Sequence, residues 1–276
     1  MERYISSKLK NWILEPRRKP LLLRGARQVG KTWLVEMLAK QEFEYFVKVD
    51  FEESPNLSSL FYGELNPQKI CAELELRTGI NIIDGKTLLF FDEIQVCPRA
   101  IMALRYFYEQ RPGLHVVAAG SLLEFVFSEI SFPVGRIQSL EVHPLNFSEF
   151  LLALNYSKAA NICNERIIEV SESTHEFLLE QLRTFWLVGG MPECVKEYVN
   201  SNSIKLATEV QDEICNTYRW DFNKYKPKTD IYCLNSVYSS IAASVGQQIK
   251  YTGLAKDFTI PTIKKAYQSL SLARIA

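Results

Sequence analysis

Apolar and polar positions alternate with two different periods along the first half of the chain. Short apolar or alternating runs predict strands, and each run is followed by a stretch whose apolar residues recur at helical spacing. The predicted strands cover residues 21–23, 45–51, 87–91, 114–119 and 137–142. Strands that alternate with helices favour a doubly wound parallel sheet. We therefore expect an α/β domain over residues 1–145.

The second half of the chain keeps the helical period throughout. The predicted helices cover residues 147–156, 172–188, 193–200, 204–222 and 231–245. A helix-turn-helix pattern follows from Tyr251 to Ile275, with its turn at residues 257–259. We therefore expect an all-helical region over residues 146–235 and a partial helix-turn-helix segment over residues 236–276.

A glycine-bounded loop connects the first predicted strand to the helix that follows it. Glycines permit backbone angles closed to other residues, so successive N–H groups can turn inward around an anion, and the helix N-terminus adds its dipole. Lys31 would reach the outer phosphates of a nucleotide, and Thr32 would ligate Mg²⁺. An ordinary strand-to-helix turn is the alternative, and the flanking strand and helix disfavour it. The predicted binding residues are Gly25, Ala26, Arg27, Gln28, Val29, Gly30, Lys31, Thr32 and Trp33.

Two acids end the third predicted strand, about 60 residues after this loop. Parallel α/β sheets bind ligands at the carboxyl ends of their strands, so Asp92 and Glu93 are expected beside the phosphates. Asp92 would hold Mg²⁺ through water, and Glu93 would orient and deprotonate an attacking water. The alternative is a strand that ends in a solvated acidic turn. Ser121, at the end of the next strand, would lie beside the acids, and it could equally cap the following helix.

Composition indicates the compartment in which the protein works, but it does not indicate a binding partner. Lys plus Arg and Asp plus Glu number 32 each, so net charge indicates neither nucleic acid nor a membrane surface. The sequence has no membrane-spanning run and no signal peptide at its N-terminus. Scattered cysteines without metal-ligand spacing are typical of a reducing compartment, so a cytoplasmic location is expected. They are Cys71, Cys97, Cys163, Cys194, Cys215 and Cys233.

Six motifs together resemble a large prokaryotic group of AAA+ superfamily ATP-binding proteins. These proteins carry an AAA-like P-loop domain followed by a C-terminal domain of unknown function, and the resemblance covers essentially the whole chain. The motifs are Gly25–Thr32, Leu88–Gln95, Ala119–Ser121, Gly135-Arg136, Pro144–Phe150 and Gly189–Glu193.

This resemblance implies an ASCE-type parallel sheet of strand order 5-1-4-3-2, with the acid-bearing strand beside the P-loop strand. It implies ATP rather than GTP, and the sequence lacks an Asn-Lys-x-Asp guanine signature. Ser121 would be the sensor that holds the lytic water, and Arg136 would be an arginine finger. Pro192 would pack near the adenine. The implied catalytic residues are Glu93, Lys31, Ser121 and Arg136.

The leading hypothesis is an Mg²⁺-dependent ATPase in which γ-phosphate cleavage rearranges the helical region, which acts as a lid. The alternative is a nucleotide-gated interaction or DNA-binding module with negligible turnover, and a P-loop kinase is a weaker third reading. Finger-type arginines act across subunits, so a homo-oligomer is expected. Residues 249–275 are a candidate DNA contact, and an internal packing unit is the alternative. Members of the group usually continue beyond this segment, so we expect a C-terminally truncated form that ends before a wing.

Overall fold

One parallel sheet forms the centre of the computed structural model, which describes residues 2–127, 133–165, 169–225 and 229–275. Its strands are β1 (Leu21–Arg24), β2 (Tyr45–Asp50), β3 (Thr87–Asp92), β4 (His115–Gly120) and β5 (Gln138–Glu141). The order is β2-β3-β4-β1-β5, and all neighbours are parallel. This confirms the α/β fold and the implied strand order. The expectation that the acid-bearing strand β3 lies beside β1 was wrong, because β4 is hydrogen-bonded between them.

Helices cover both faces of the sheet and make up the second half of the chain. They are α1 (Ile5–Ile13), α2 (Lys31–Glu42), α3 (Pro67–Thr78), α4 (Pro98–Gln110), α5 (Leu123–Phe127), α6 (Phe147–Ala153), α7 (Ser157–Asn164), α8 (Glu172–Val188), α9 (Pro192–Ser201), α10 (Ile204–Asp221), α11 (Ile231–Ala243), α12 (Tyr251–Leu254) and α13 (Ile260–Leu272). The helices predicted after residue 145 are all present. The short α7 was not predicted.

The strands β3 and β4 lie in the interior of the sheet, so their side chains are buried on both of its faces. Leu89 and Phe91 belong to a core shared with α3 and α4, whereas Leu88 and Phe90 belong to one shared with α1 and α2. Burying a side chain of this size contributes roughly 1.5–3 kcal/mol. This packing on both sides holds the end of β3, and with it Asp92, in a fixed position.

Two smaller clusters hold the helical half together. One joins α6, α8, α9 and α10 around Phe150, Val188 and Val195. The other joins α11, α12 and α13, and it includes Phe125 from α5. The predicted helix pair of the last segment is therefore present as α12 and α13, packed onto α11. The boundaries expected at residues 145 and 235 stay a prediction. Within the part of the chain described, no helix is both long and apolar enough to cross a bilayer.

A buried histidine lies at the start of β4, at the sheet edge opposite to Asp92. The ring of His115 is 5% exposed and meets Trp12 and Phe43 edge to face. Burial lowers the pKa of His115 to about 4, and the nearby charge of Arg18 adds to that shift. A histidine that is neutral when folded and titrates normally when unfolded makes stability depend on pH.

We expect acid to destabilise the protein through His115. The unfolded chain binds the proton below pH ~6.5 and the folded chain only near pH 4, so stability falls as pH drops through this window. The loss between pH 7.5 and 5 should be about 2 kcal/mol, measured as the free energy of unfolding in urea. His115→Phe should flatten this slope, while His175→Gln, at an exposed position on α8, should not. Equal slopes in the wild type and His115→Phe would contradict the assignment.

Candidate functional site

The loops that follow β1 and β3 border a cavity of about 600 Å³ at the C-terminal edge of the sheet. The helical half closes its other side. The lining residues are Arg3, Arg27, Gln28, Gly30, Lys31, Thr32, Trp33, Glu93, Leu145, Pro192, Glu193 and Lys196. The fold thus brings together the glycine-bounded loop, one of the two acids and Pro192, which the sequence predicted from separate segments.

The β1–α2 loop wraps around its own lysine. Gly25 and Gly30 have φ angles of 155° and 91°, which residues other than glycine rarely adopt. The Lys31 ammonium donates to the carbonyl oxygens of Gly25 at 3.0 Å and Ala26 at 2.7 Å. Burial lowers the pKa of Lys31 to about 8. The ammonium donates to neutral carbonyls in a buried loop, and such a cation is a site that an anion would stabilise.

The first acid is paired with the hydroxyl that follows the lysine. The Thr32 Oγ1, in the first turn of α2, donates to the Asp92 Oδ2 at 2.8 Å, although β4 separates β3 from the strand β1 that leads to α2. Burial raises the pKa of Asp92. A hydroxyl and a carboxylate at this spacing are the donor set that Mg²⁺ uses beside bound phosphates. These residues therefore fit the predicted metal site.

A lysine that sequence analysis missed lies against the same carboxylate. The Lys48 Nζ is 3.5 Å from the Asp92 Oδ2 and 3.3 Å from a Glu36 carboxylate oxygen. Burial opposes its charge, but Asp92, Glu36 and Asp50 together raise the pKa of Lys48. The alternation along β2 indicated which face Lys48 occupies, but nothing in the sequence indicated that this face meets Asp92.

The second acid has an unusual backbone and a fixed side chain. Glu93 has φ +47°, a left-handed angle that is uncommon outside glycine, and its N–H donates to the Asp92 Oδ1 at 3.1 Å. The Gln95 Nε2 donates to the Glu93 Oε2 at 2.5 Å. Burial raises the pKa of Glu93. A carboxylate with a raised pKa and a defined orientation is suited to accept a proton.

Two buried polar atoms just beyond the C-terminal ends of β3 and β4 lack a hydrogen-bond partner among the described residues. They are the Ser121 hydroxyl and the Gln95 Oε1. The Gln95 amide oxygen lies so close to Gly120 that a side chain there would collide with it. Unsatisfied buried polar atoms are uncommon and need an explanation. A water molecule or ligand bound beside Glu93 would explain both of these atoms.

A buried arginine near the N-terminus connects the loop to the helical half. The Arg3 Nε lies 3.1 Å from the Glu149 Oε1, and its two Nη atoms donate to the carbonyl oxygens of Val29 and His143. Glu149 also completes a capping box with Asn146 at the start of α6. The Asn-x-x-Glu spacing signals that cap. No pattern in the sequence signalled Arg3.

Two further predicted binding residues, Trp33 and Pro192, also line the cavity. Trp33, in the first turn of α2, is 42% exposed. Pro192 begins α9, and its ring is close enough to Gly30 to contact any side chain placed there. The role of Trp33 in nucleotide binding and that of Pro192 beside the adenine stay predictions.

Arg136 is not brought to this site. It precedes β5, which is parallel to β1, so it lies at the edge of the sheet opposite to the loop. There its Nε is 3.0 Å from a carboxylate oxygen of Glu109, and both side chains are partly exposed to solvent. Any contact between Arg136 and a bound phosphate would therefore need a second copy of the chain.

Comparisons with known proteins agree with this geometry. Residues 17–151 match the family described as an AAA domain, and residues 179–276 match a domain of unknown function (DUF8612). The chain is 30% identical over 174 residues to the uncharacterized protein MJ1544 of Methanocaldococcus jannaschii. The aligned region covers 62% of this chain and 35% of the relative. The chain thus spans about a third of that relative's length.

A solved structure shares the fold. The Walker-type ATPase PabY2304 of Pyrococcus abyssi superposes with a TM-score of 0.56 at 16% identity, over 99% of this chain and 89% of that one. This similarity supports the arrangement of the sheet and the loop, and it says nothing further about substrates.

We expect Lys31→Ala to weaken the binding of ATP by roughly 10- to 100-fold, because it removes a charged hydrogen-bond donor to the phosphates. Titration calorimetry with Mg-ATP would measure the loss. Lys40→Ala, at an exposed position further along α2, is the matched control and should bind like the wild type. Unchanged affinity in Lys31→Ala would remove the phosphate role of the loop.

Proposed function

The chain carries an AAA domain of the P-loop type, followed by a domain of unknown function, and on this premise we propose that it binds ATP with Mg²⁺ and hydrolyses it. The observation that carries the proposal is the contact between Thr32 and Asp92, with Glu93 next to Asp92 and Lys31 directly before Thr32 at the start of α2. A hydroxyl, two acids and a lysine at one sheet edge are the parts that phosphoryl transfer needs.

Binding would begin with an exchange of partners at the loop. Lys31 would leave the carbonyls of Gly25 and Ala26 and donate to the outer phosphates, since a charged acceptor is stronger than a neutral one. Thr32 and Asp92 would hold the metal ion. Mg²⁺, when bound, neutralises charge on the phosphates. Lys48 would then share Asp92 with the metal or turn toward Glu36.

Hydrolysis would depend on the second acid and its neighbours. Glu93 would accept the proton of the attacking water, and its raised pKa favours that transfer. Gln95 would keep the carboxylate oriented. The Ser121 hydroxyl, buried and without a partner among the described residues, would hold the water in place. The cleavage would be coupled to movement of the helical half, which contacts the loop directly.

Three further expectations stay predictions. A contact with DNA through residues 249–275 has less support, because α13 buries Ile263, Ala266 and Leu270 against α11, and Arg274 is paired with Glu124. A homo-oligomer is expected only through Arg136. A cytoplasmic location rests on the scattered cysteines.

We expect Glu93→Gln to bind ATP like the wild type but to release phosphate ~10²-fold more slowly or worse, because the amide keeps the shape and loses the proton acceptor. Phosphate release at saturating Mg-ATP would measure this. Glu53→Gln, in the exposed loop after β2, is the control and should retain full activity. Binding without hydrolysis in the wild type would instead favour the nucleotide-gated interaction module.

The finger role of Arg136 has a separate test. If Arg136 acts on a neighbouring subunit, specific activity should rise with protein concentration, and Arg136→Ala should lose ~10³-fold in rate. Mixing Arg136→Ala with Lys31→Ala should restore part of the activity, because one interface then combines the intact half of each. Activity independent of concentration, with no rescue on mixing, would leave Arg136 as a surface ion pair worth about 0–1 kcal/mol.

A further inference from the structure

An arginine of the loop is held by two carboxylates from different parts of the chain. One nitrogen of the Arg27 guanidinium lies 2.8 Å from a carboxylate oxygen of Asp221, the last residue of α10. Another lies 3.1 Å from the Glu52 Oε1, in the segment after β2. The side chain of Asp221 is 7% exposed. A buried carboxylate of this kind depends on its cationic partner.

The same end of α10 has a second attachment to the loop. The Tyr218 hydroxyl, one turn before Asp221, donates to the backbone carbonyl of Arg27 at 2.9 Å. Lys224 lies 3.5 Å from oxygens of both Asp221 and Glu52, so the cluster is electrically balanced. The helical half is therefore fastened to the loop where the phosphates would bind.

Arg27 is also close to the residues proposed for catalysis. It lines the cavity with Lys31 and Glu93. Its charge lowers the pKa of Lys31 and that of Glu93, although burial dominates both shifts. A guanidinium pairs well with phosphate oxygens through two parallel hydrogen bonds. A triphosphate in this cavity would therefore compete with Asp221 and Glu52 for Arg27.

We propose that Arg27 contacts the terminal phosphate of bound ATP within its own chain, and that its transfer from Asp221 to that phosphate loosens the attachment of α10 to the loop, which then depends on the Tyr218 hydrogen bond. Once Arg27 has left, Lys224, which is half exposed, is the one cation among the described residues that still pairs with Asp221. A buried carboxylate with so weak a partner would move toward solvent, and α10 would move with it. ADP lacks the terminal phosphate and would leave the Arg27–Asp221 pair intact. This inference rests on the proposed ATP binding and adds the group that distinguishes ATP from ADP.

The test compares affinities for ATP and ADP with Mg²⁺, with all variants made in a Glu93→Gln background so that ATP stays intact. Arg27→Gln should weaken ATP by roughly 10-fold or more, as expected for a lost charged hydrogen bond, with ADP little changed. Asp221→Asn frees Arg27 and should strengthen ATP several-fold, again without effect on ADP. Glu52→Gln, at a more exposed partner, should act in the same direction more weakly. Asp212→Asn, exposed on α10, is the matched control.

Hydrogen exchange of the α10 backbone gives a second readout. ATP should speed exchange over residues 212–221 in the Glu93→Gln protein, and neither ADP nor ATP with Arg27→Gln should do so. An ATP-to-ADP affinity ratio that is the same in Arg27→Gln and Asp221→Asn as in their parent would overturn this inference while leaving the proposed function intact. A parent protein that binds neither nucleotide would overturn both.

Discussion

Burial of charge at the C-terminal edge of the sheet is the constraint on which the rest of the structure depends. Lys31 and Asp92 are 7% and 3% exposed, and charges taken out of water need partners. The chain supplies those partners itself, from the loop carbonyls, from Thr32 and from Lys48. Under the proposed function, nucleotide and metal would replace these partners. The groups that stabilise this arrangement are therefore the groups that would exchange contacts on binding.

The same constraint attaches the helical half to the sheet. Arg3 donates to the β1–α2 loop and Arg27 belongs to it, and each is paired with a carboxylate of the helical half, Glu149 at the start of α6 and Asp221 at the end of α10. Removing one partner of a buried pair costs about 3–5 kcal/mol, because the other charge is left uncompensated. The position of the helical half is thus energetically linked to the partners that Arg3 and Arg27 have at the loop. This link is local and needs no movement of the sheet.

Around Glu93, a tightly packed strand fixes the position of the backbone, and the turn that follows it orients the carboxylate. Packing on both faces holds β3, while the left-handed backbone of Glu93 turns its side chain off the strand axis toward the cavity. Uncommon backbone angles persist where the surrounding structure determines them, and they cluster at functional sites. Gln95 and Ser121 also lie at the C-terminal edge of the sheet, and each has a buried polar atom that lacks a partner among the described residues. Their position supports a water-binding role more strongly than the sequence did.

Local sequence patterns were enough to predict the strands, every helix after residue 145 except α7, the glycine-bounded loop and the acids at the end of β3, because each depends on residues within a few positions of one another. The strand order was available only through the resemblance to a family, and the expectation that β3 adjoins β1 was wrong although the implied order itself places β4 between them. Tertiary structure alone decided the pairs Arg3–Glu149 and Arg27–Asp221, whose members are 146 and 194 residues apart. Single charged residues carry no periodic signal, so only folding reveals which of them are buried together.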